Sequence, residues 1–113
     1  MKREIIGLTA IVTLKGKTKK KRVKAKIDTG ADKSSIDTRL ASQLSLGPVI
    51  KTSRIRSAHG GMARPVVKAK IKIDNKELNS DFTIADRSHM KYKVLIGKNI
   101  LKKLHVLINP NKN

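Results

Sequence analysis

From residue 4 to residue 14 the chain is rich in β-branched and aliphatic residues, until Lys15-Gly16-Lys17 breaks the run. Over 21–27 apolar and basic positions alternate, with Val23, Ala25 and Ile27 on one face and Arg22, Lys24 and Lys26 on the other. A period of two marks a half-buried strand, because successive side chains leave a strand on opposite faces. Together the two runs predict a hairpin. Asp28-Thr29-Gly30-Ala31-Asp32 then ends the strand with turn chemistry. Leu40, Ala41 and Leu44 recur at helical spacing, which predicts a short helix over 38–45, with Asp37 or Thr38 as N-cap and Gly47-Pro48 as its end. Residues 49–57 read as a strand, and Ala58-His59-Gly60-Gly61-Met62 as a flexible tip, since paired glycines open backbone conformations closed to other residues. Val67, Ala69, Ile71 and Ile73 alternate with Lys68, Lys70 and Lys72; Asp74-Asn75 is a tight turn, and 77–85 returns as a strand. Two successive hairpins are thus expected around 49–85. A short buried strand over 93–97, one or two helical turns over 99–104, a last strand over 105–108 and a polar tail complete the chain. The expectation is an all-β fold, mainly antiparallel, with one or two short helices. Val-Lys-Ala-Lys-Ile occurs at 23–27 and again at 67–71, either a chance echo in a lysine-rich chain or the trace of a duplicated β unit.

Composition sharpens this picture. The 113 residues are the length of one domain, 1–113, and 38% of them are hydrophobic, enough for one modest core. With no Trp, one Tyr (Tyr92) and one Phe (Phe82), that core must be aliphatic. Lys plus Arg number 27 against 8 Asp plus Glu, a formal net charge of +19. Such an excess points to an acidic partner, an acidic substrate or nucleic acid. The absence of Cys excludes disulfides and thiolate metal sites. His59, His89 and His105 are far apart in sequence, and no His-Glu-x-x-His or phosphate-binding Gly-x-x-x-x-Gly-Lys-Ser/Thr loop occurs, so neither a metal nor any other cofactor is expected. No apolar run approaches the roughly 20 residues of a membrane span, and Met-Lys-Arg-Glu-Ile-Ile-Gly lacks the pattern of a signal peptide. A soluble cytoplasmic protein is the default.

The chemistry concentrates in Ala25-Lys26-Ile27-Asp28-Thr29-Gly30-Ala31-Asp32. A strand delivers an aspartate into a tight loop, Thr adds a hydroxyl, Gly lets the backbone fold back, and Ala leaves room for a ligand. This segment resembles the Asp-Thr-Gly-Ala signature of aspartic peptidases. Downstream, Val94-Leu95-Ile96-Gly97-Lys98-Asn99-Ile100-Leu101 resembles the second-half element of retropepsins, and 57–65 lies where a retropepsin carries its glycine-bearing flap. With Val-Leu-Ile-Asn-Pro at 106–110, the pattern is similar to the prokaryotic retropepsin-like family once labelled "ATP-dependent zinc protease" and associated with glutamate-ligase systems. The resemblance covers nearly the whole chain and implies a single-lobed, retropepsin-like acid protease fold.

Aspartic-peptidase chemistry needs two carboxylates sharing one proton, one acting as base and the other as acid. The chain has a single Asp-Thr-Gly, so the resemblance implies a symmetric homodimer with Asp28 of each copy on the two-fold axis. By the same resemblance Thr29 locks the two loops together, Gly30 permits the tight geometry, Ala31 completes the active-site loop, and residues 58–62 form the flap. Candidate substrate contacts are Asp32, Lys24, Lys26, His59, Gly60, Gly61 and Met62. Lys24 and Lys26 share the strand face that alternation assigns to Asp28; there they would attract acidic peptide.

Each feature also has a plainer reading. Asp28 could cap a turn, Gly60-Gly61 could be an ordinary hairpin turn, and Asp32 and Asp37 could be local caps. His59 could be a solvent-exposed loop residue, and the basic run a solvated strand face. The reading adopted is a homodimeric aspartic endopeptidase acting on an acidic or glutamate-rich protein or peptide. The alternative is a catalytically inactive module of the same fold, docking on nucleic acid, the ribosome or an acidic partner through its Lys-rich strands.

Overall fold

The computed structural model describes residues 3–57 and 60–112. Its elements follow the chain as β1 (Ile5–Ile6), β2 (Thr9–Lys15), β3 (Lys20–Ile27), β4 (Ser34–Asp37), α1 (Thr38–Gln43), β5 (Lys51–Ser57), β6 (Gly60–Ile73), β7 (Lys76–Ala85), β8 (Val94–Ile96), α2 (Lys98–Leu104) and β9 (Leu107–Ile108). The expected hairpins form: β2 pairs antiparallel with β3 (Val12 opposite Val23), β5 with β6, and β6 with β7. The sheet runs β2-β3-β8-β4-β7-β6, and a further β2–β6 pairing (Val12 opposite Ile73) closes it into a six-stranded barrel. The two Val-Lys-Ala-Lys-Ile segments thus lie on β3 and β6, the two strands that flank β2.

Alternation explains the interior. Ala25 and Ile27 of β3, and Val67, Ala69, Ile71 and Ile73 of β6, point inward, while the lysines between them stay exposed. Val12, Leu14, Ile36, Val94, Ile96 and Phe82 join them, so one aromatic ring sits in an otherwise aliphatic core. Leu40, Ala41 and Leu44 of α1 and its C-cap, and Ile100 and Leu104 of α2, cover the barrel. Asp37 caps α1, its side chain accepting from the N–H of Arg39 at 3.1 Å. None of the described helices is long and apolar enough to cross a membrane.

Four details depart from expectation. Residues 4–14 form two strands, because β1 leaves the barrel at Gly7-Leu8 and pairs in parallel with β9. Gly60, Gly61 and Met62 belong to β6 and pair in register with β5, so the strand reaches into the expected tip; Gly60 takes φ 107°, a conformation that favours glycine, and Ala58 and His59 lie outside the described residues. The last strand begins only at Leu107, because His105 takes a left-handed conformation (φ 54°) that ends α2. Finally β4, buried along its whole length, carries no apolar alternation: its sequence is Ser-Ser-Ile-Asp. It lies between β8 and β7, where hydrogen bonds compensate Ser34 and Asp37, while the buried Ser35 Oγ has no partner.

Phe82 is fully buried and lies opposite Val67 and Ser34 in the sheet. Phe82→Ala is expected to destabilise the fold by about 3–5 kcal/mol, lost contacts and cavity together, read from the shift of the urea-unfolding midpoint.

Candidate active site

Strand β3 delivers Asp28 to the end of the barrel. The Ile27 N–H donates to the Leu8 carbonyl and the Asp28 N–H to the Ile96 carbonyl, both at 2.9 Å. The chain then turns on itself: the Gly30 N–H donates to Asp28 Oδ1 at 2.9 Å and the Ala31 N–H to the Asp28 carbonyl at 3.3 Å. Asp28 is half-buried, while Thr29 and Gly30 stand exposed. One carboxylate oxygen is thus anchored to the loop's own backbone.

Beneath the loop runs β8, inserted between β3 and β4 and parallel to the first, antiparallel to the second. Its close approach requires glycine at 97: a Cβ there would lie 2.4 Å from the Lys33 carbonyl oxygen and 2.8 Å from that of Ala31. The Lys98 N–H donates to the Ala31 carbonyl at 2.8 Å. Ser34, fully buried, accepts from the Gly97 N–H at 2.9 Å and donates to Asn99 Oδ1 at 2.7 Å. The Asn99 amide donates in turn to the Asp81 carbonyl at 3.1 Å. These bonds lock loop, β4, β7 and the start of α2 into one unit, so that the position of Asp28 is set by main chain on three sides.

From the loop a cleft extends under β5 and β6. Its part beside Gly30 and Ala31, about 590 Å³, is lined by Ser35, Arg54, Arg64, Thr83, Arg87 and Leu95. It continues past Asp32, Lys33 and Arg54 towards Ser53, Lys51 and Asp81, a further 530 Å³ or so. The Lys33 ammonium donates to the Ser53 hydroxyl, tying the Asp28 loop to β5. Four cations (Lys33, Arg54, Arg64 and Arg87) therefore line the wall nearest the loop. Among the described residues no cluster of His, Asp and Glu is built to hold a metal ion.

Asp28, Thr29, Gly30 and Ala31 come together on the loop. Asp32, exposed, turns to α2 and pairs with Lys98 at 2.8 Å. Gly60, Gly61 and Met62 lie on the outer half of β6, and the Met62 side chain is exposed; His59 is outside the described residues. Lys24 and Lys26 are exposed on β3 but line neither part of the cleft; Lys24 borders a separate concavity with Arg39, Leu40 and Tyr92. Sequence reasoning passed over Ser35, Arg54, Arg64 and Arg87. A usable signal was residue type: the chain has twenty Lys and seven Arg, and three of those Arg line the cleft. A guanidinium matches a carboxylate's two oxygens in a way an ammonium does not.

The hydrogen bond from Lys98, and then its charge, hold the Asp32 carboxyl below its ordinary pKa. A carboxyl lowered on folding stabilises the fold above its unfolded pKa, and that contribution is lost as pH falls through the lowered folded value. The pair is exposed, so the effect on stability is small. The measurable consequence is local. Carbon-detected NMR titration should place Asp32 below a free aspartate, and Lys98→Met should move it back up towards the ordinary value.

A family model described as the retropepsin-like aspartic endopeptidase RimB matches residues 38–113, two thirds of the chain, starting after the Asp28 loop. No curated protein matches the chain. Among solved structures, a Legionella pneumophila protein of unknown function is similar over 99% of this chain and 97% of its own, with a TM-score of 0.71 and 17% identity. The EIAV protease, solved with the inhibitor HBY-793, matches over 87% of this chain and 88% of its own, with a TM-score of 0.68 and 23% identity. The simian foamy virus protease matches over 83% and 93%, with a TM-score of 0.58 and 18% identity. These likenesses show the retropepsin fold, with β8 threaded beneath the aspartate loop. Taken with the family match, they show that the chain belongs to the RimB-like family of retropepsin-like aspartic endopeptidases.

Proposed function

We propose that the protein is a homodimeric aspartic endopeptidase in which water is activated between Asp28 of one copy and Asp28 of the other, and that it prefers acidic peptides. The observation that carries this reading is that Asp28 sits, half-buried and backbone-anchored, on an exposed loop at the mouth of a cationic cleft, while four of the other carboxylates among the described residues are engaged elsewhere. Asp32 is paired with Lys98, Asp81 with Lys51 and Glu77 with Lys15. Asp37 accepts from two backbone N–H groups, those of Arg39 and Arg87. A lone carboxylate can take a proton but cannot at the same time donate one. A second copy across a two-fold axis supplies the missing acid.

In that arrangement the two Asp28 carboxyls hold one proton between them, because adjacent like charges do not both ionise. The ionised one takes a proton from water as the water oxygen bonds to the peptide carbonyl carbon. The protonated one gives its proton to the carbonyl oxygen. Collapse of the diol passes a proton to the leaving nitrogen as the C–N bond breaks, and the dyad is left sharing one proton again. The surface next to the loop suits a second copy. Ile5 and Leu107, opposite each other across β1 and β9, and Leu8, whose carbonyl holds Ile27, are each about half exposed (46%, 50% and 51%). The preference for acidic peptide is supported by the four cations of the cleft wall and by a net charge of +19.

Asp28→Asn is expected to keep the fold and to lower peptide hydrolysis by about 10²–10⁴-fold or more, measured on a quenched fluorescent acidic peptide. Activity should follow a bell-shaped pH profile, falling when both carboxyls are protonated and again when both are ionised. Hydrolysis that survives in Asp28→Asn would end the peptidase reading.

Sedimentation at micromolar concentration should report twice the monomer mass. Leu8→Glu with Leu107→Glu should shift it to monomer and remove activity together. A monomer that hydrolyses peptide would disprove the two-chain site.

A further inference from the structure

The cleft contains a largely buried arginine whose charged tip forms no ion pair with the described residues. Arg87 is only 8% exposed. Its backbone N–H donates to Asp37 Oδ1 at 2.7 Å and its Nε to the Tyr92 carbonyl at 2.9 Å, which fixes the backbone and the neck of the guanidinium. Among the described residues, its two terminal nitrogens have no hydrogen-bond partner and it takes part in no ion pair. Burial, and then the like charge of Arg64, push its pKa down; the charges of Asp37 and Asp28 oppose them. Arg64 reaches the same cavity from β6.

A second, independent observation lies in the same cavity. Ser35, on β4, is 6% exposed and lines that cavity, and its Oγ is the one buried side-chain polar atom among the described residues without a hydrogen-bond partner. A largely buried guanidinium beside another, in one cavity with an unpaired hydroxyl, is unfavourable in isolation. The same groups together are what a carboxylate requires: two forked cationic donors and one neutral one.

We propose that Arg64, Arg87 and Ser35 form a carboxylate-binding subsite that seats one acidic side chain of the substrate next to Asp28. The proposal rests on the peptidase reading and deepens it. The field of a +19 protein draws in any acidic chain at any register. A fixed subsite selects which residue sits at one position relative to the bond to be cut.

The test separates the subsite from the peptidase activity. Binding of blocked Glu tetrapeptide and of its Gln counterpart to the Asp28→Asn protein is measured by calorimetry at physiological and at 0.5 M salt. Cleavage of Glu- and Gln-bearing substrates is measured with the native chain. The Glu peptide should bind at least about tenfold more tightly, and the preference should survive high salt, since a desolvated pair is little screened. Arg64→Gln and Arg87→Gln should each reduce the preference to less than about threefold. Arg87→Lys should keep part of it, and Ser35→Val should lower it while leaving the melting temperature high. If Arg87→Gln does not fold, Arg64→Gln and Ser35→Val decide. Equal binding of the two peptides, a preference erased by 0.5 M salt, or one unchanged in both Arg64→Gln and Ser35→Val would overturn the subsite. Cleavage without Glu preference overturns the subsite and leaves the peptidase standing. Glu-selective binding that depends on Arg64, without cleavage, does the reverse.

Discussion

The site depends on how closely the backbone at Gly97 lies beneath the aspartate loop. Carbonyls of Ala31 and Lys33 occupy the space that any side chain at 97 would need. That contact lets β8 thread between β3 and β4, and the threading makes the other constraints possible. The Asp28 N–H reaches Ile96, the Lys98 N–H reaches Ala31, and Ser34 bridges Gly97 to Asn99. The carboxylate is therefore placed by main-chain geometry rather than by packing of its own short side chain. This is the condition for holding a reacting group within fractions of an ångström.

The excess of positive charge is distributed unevenly. On the barrel's outer face lysines lie directly across from lysines, as Lys15 does from Lys20 and from Lys70. Like charges so placed repel. Glu77 relieves two of them, with its carboxylate oxygens 2.7 Å from Lys15 and 3.6 Å from Lys70, and the hydrogen bond from Lys15 leads the effects that hold its pKa down. These groups are partly exposed, and water and salt screen most of what remains. In the cleft the screening is weaker, and there the cations are mainly arginines. The same net charge thus acts as a solvated coat on one face and as a directed feature on the other.

Much of the barrel was legible because its strands are half-buried and so alternate: β3 and β6 could be read almost residue by residue from Val, Ala and Ile between lysines. The aspartate loop was legible because its chemistry demands particular small residues in a fixed order. What stayed hidden has a common physical cause. Strand β4 is buried but polar, and its Ser34 is satisfied by partners about 65 residues away, which no local pattern reveals. Arg54, Arg64 and Arg87 come to one wall from β5, β6 and the loop after β7, brought together by the register of two hairpins, which the alternation of residues does not reveal. Alternation assigned Lys24 and Lys26 to a face correctly exposed to solvent, but it says nothing about which concavity that face borders. The break at Gly7-Leu8 was masked by continuous apolar residues on both sides.

Strand β6 runs without interruption from Gly60 to Ile73, yet its surroundings change part-way. As far as Pro65 it has only β5 beside it; at Val66 β5 hands over to β7, and from Lys70 β2 joins on the other side. Pro65, which lacks an N–H, stands one residue before that change. Mechanically, the arm over the cleft is a cantilever clamped at Val66. A load applied near its free end produces its greatest bending moment at the root, where the cross-section drops from a closed barrel to two strands. Residues 64–66 and their partners at 51–53 therefore set the arm's stiffness, and Arg64 rides on that root. A side chain that lines the cleft is thus also the one whose position reports the arm's deflection.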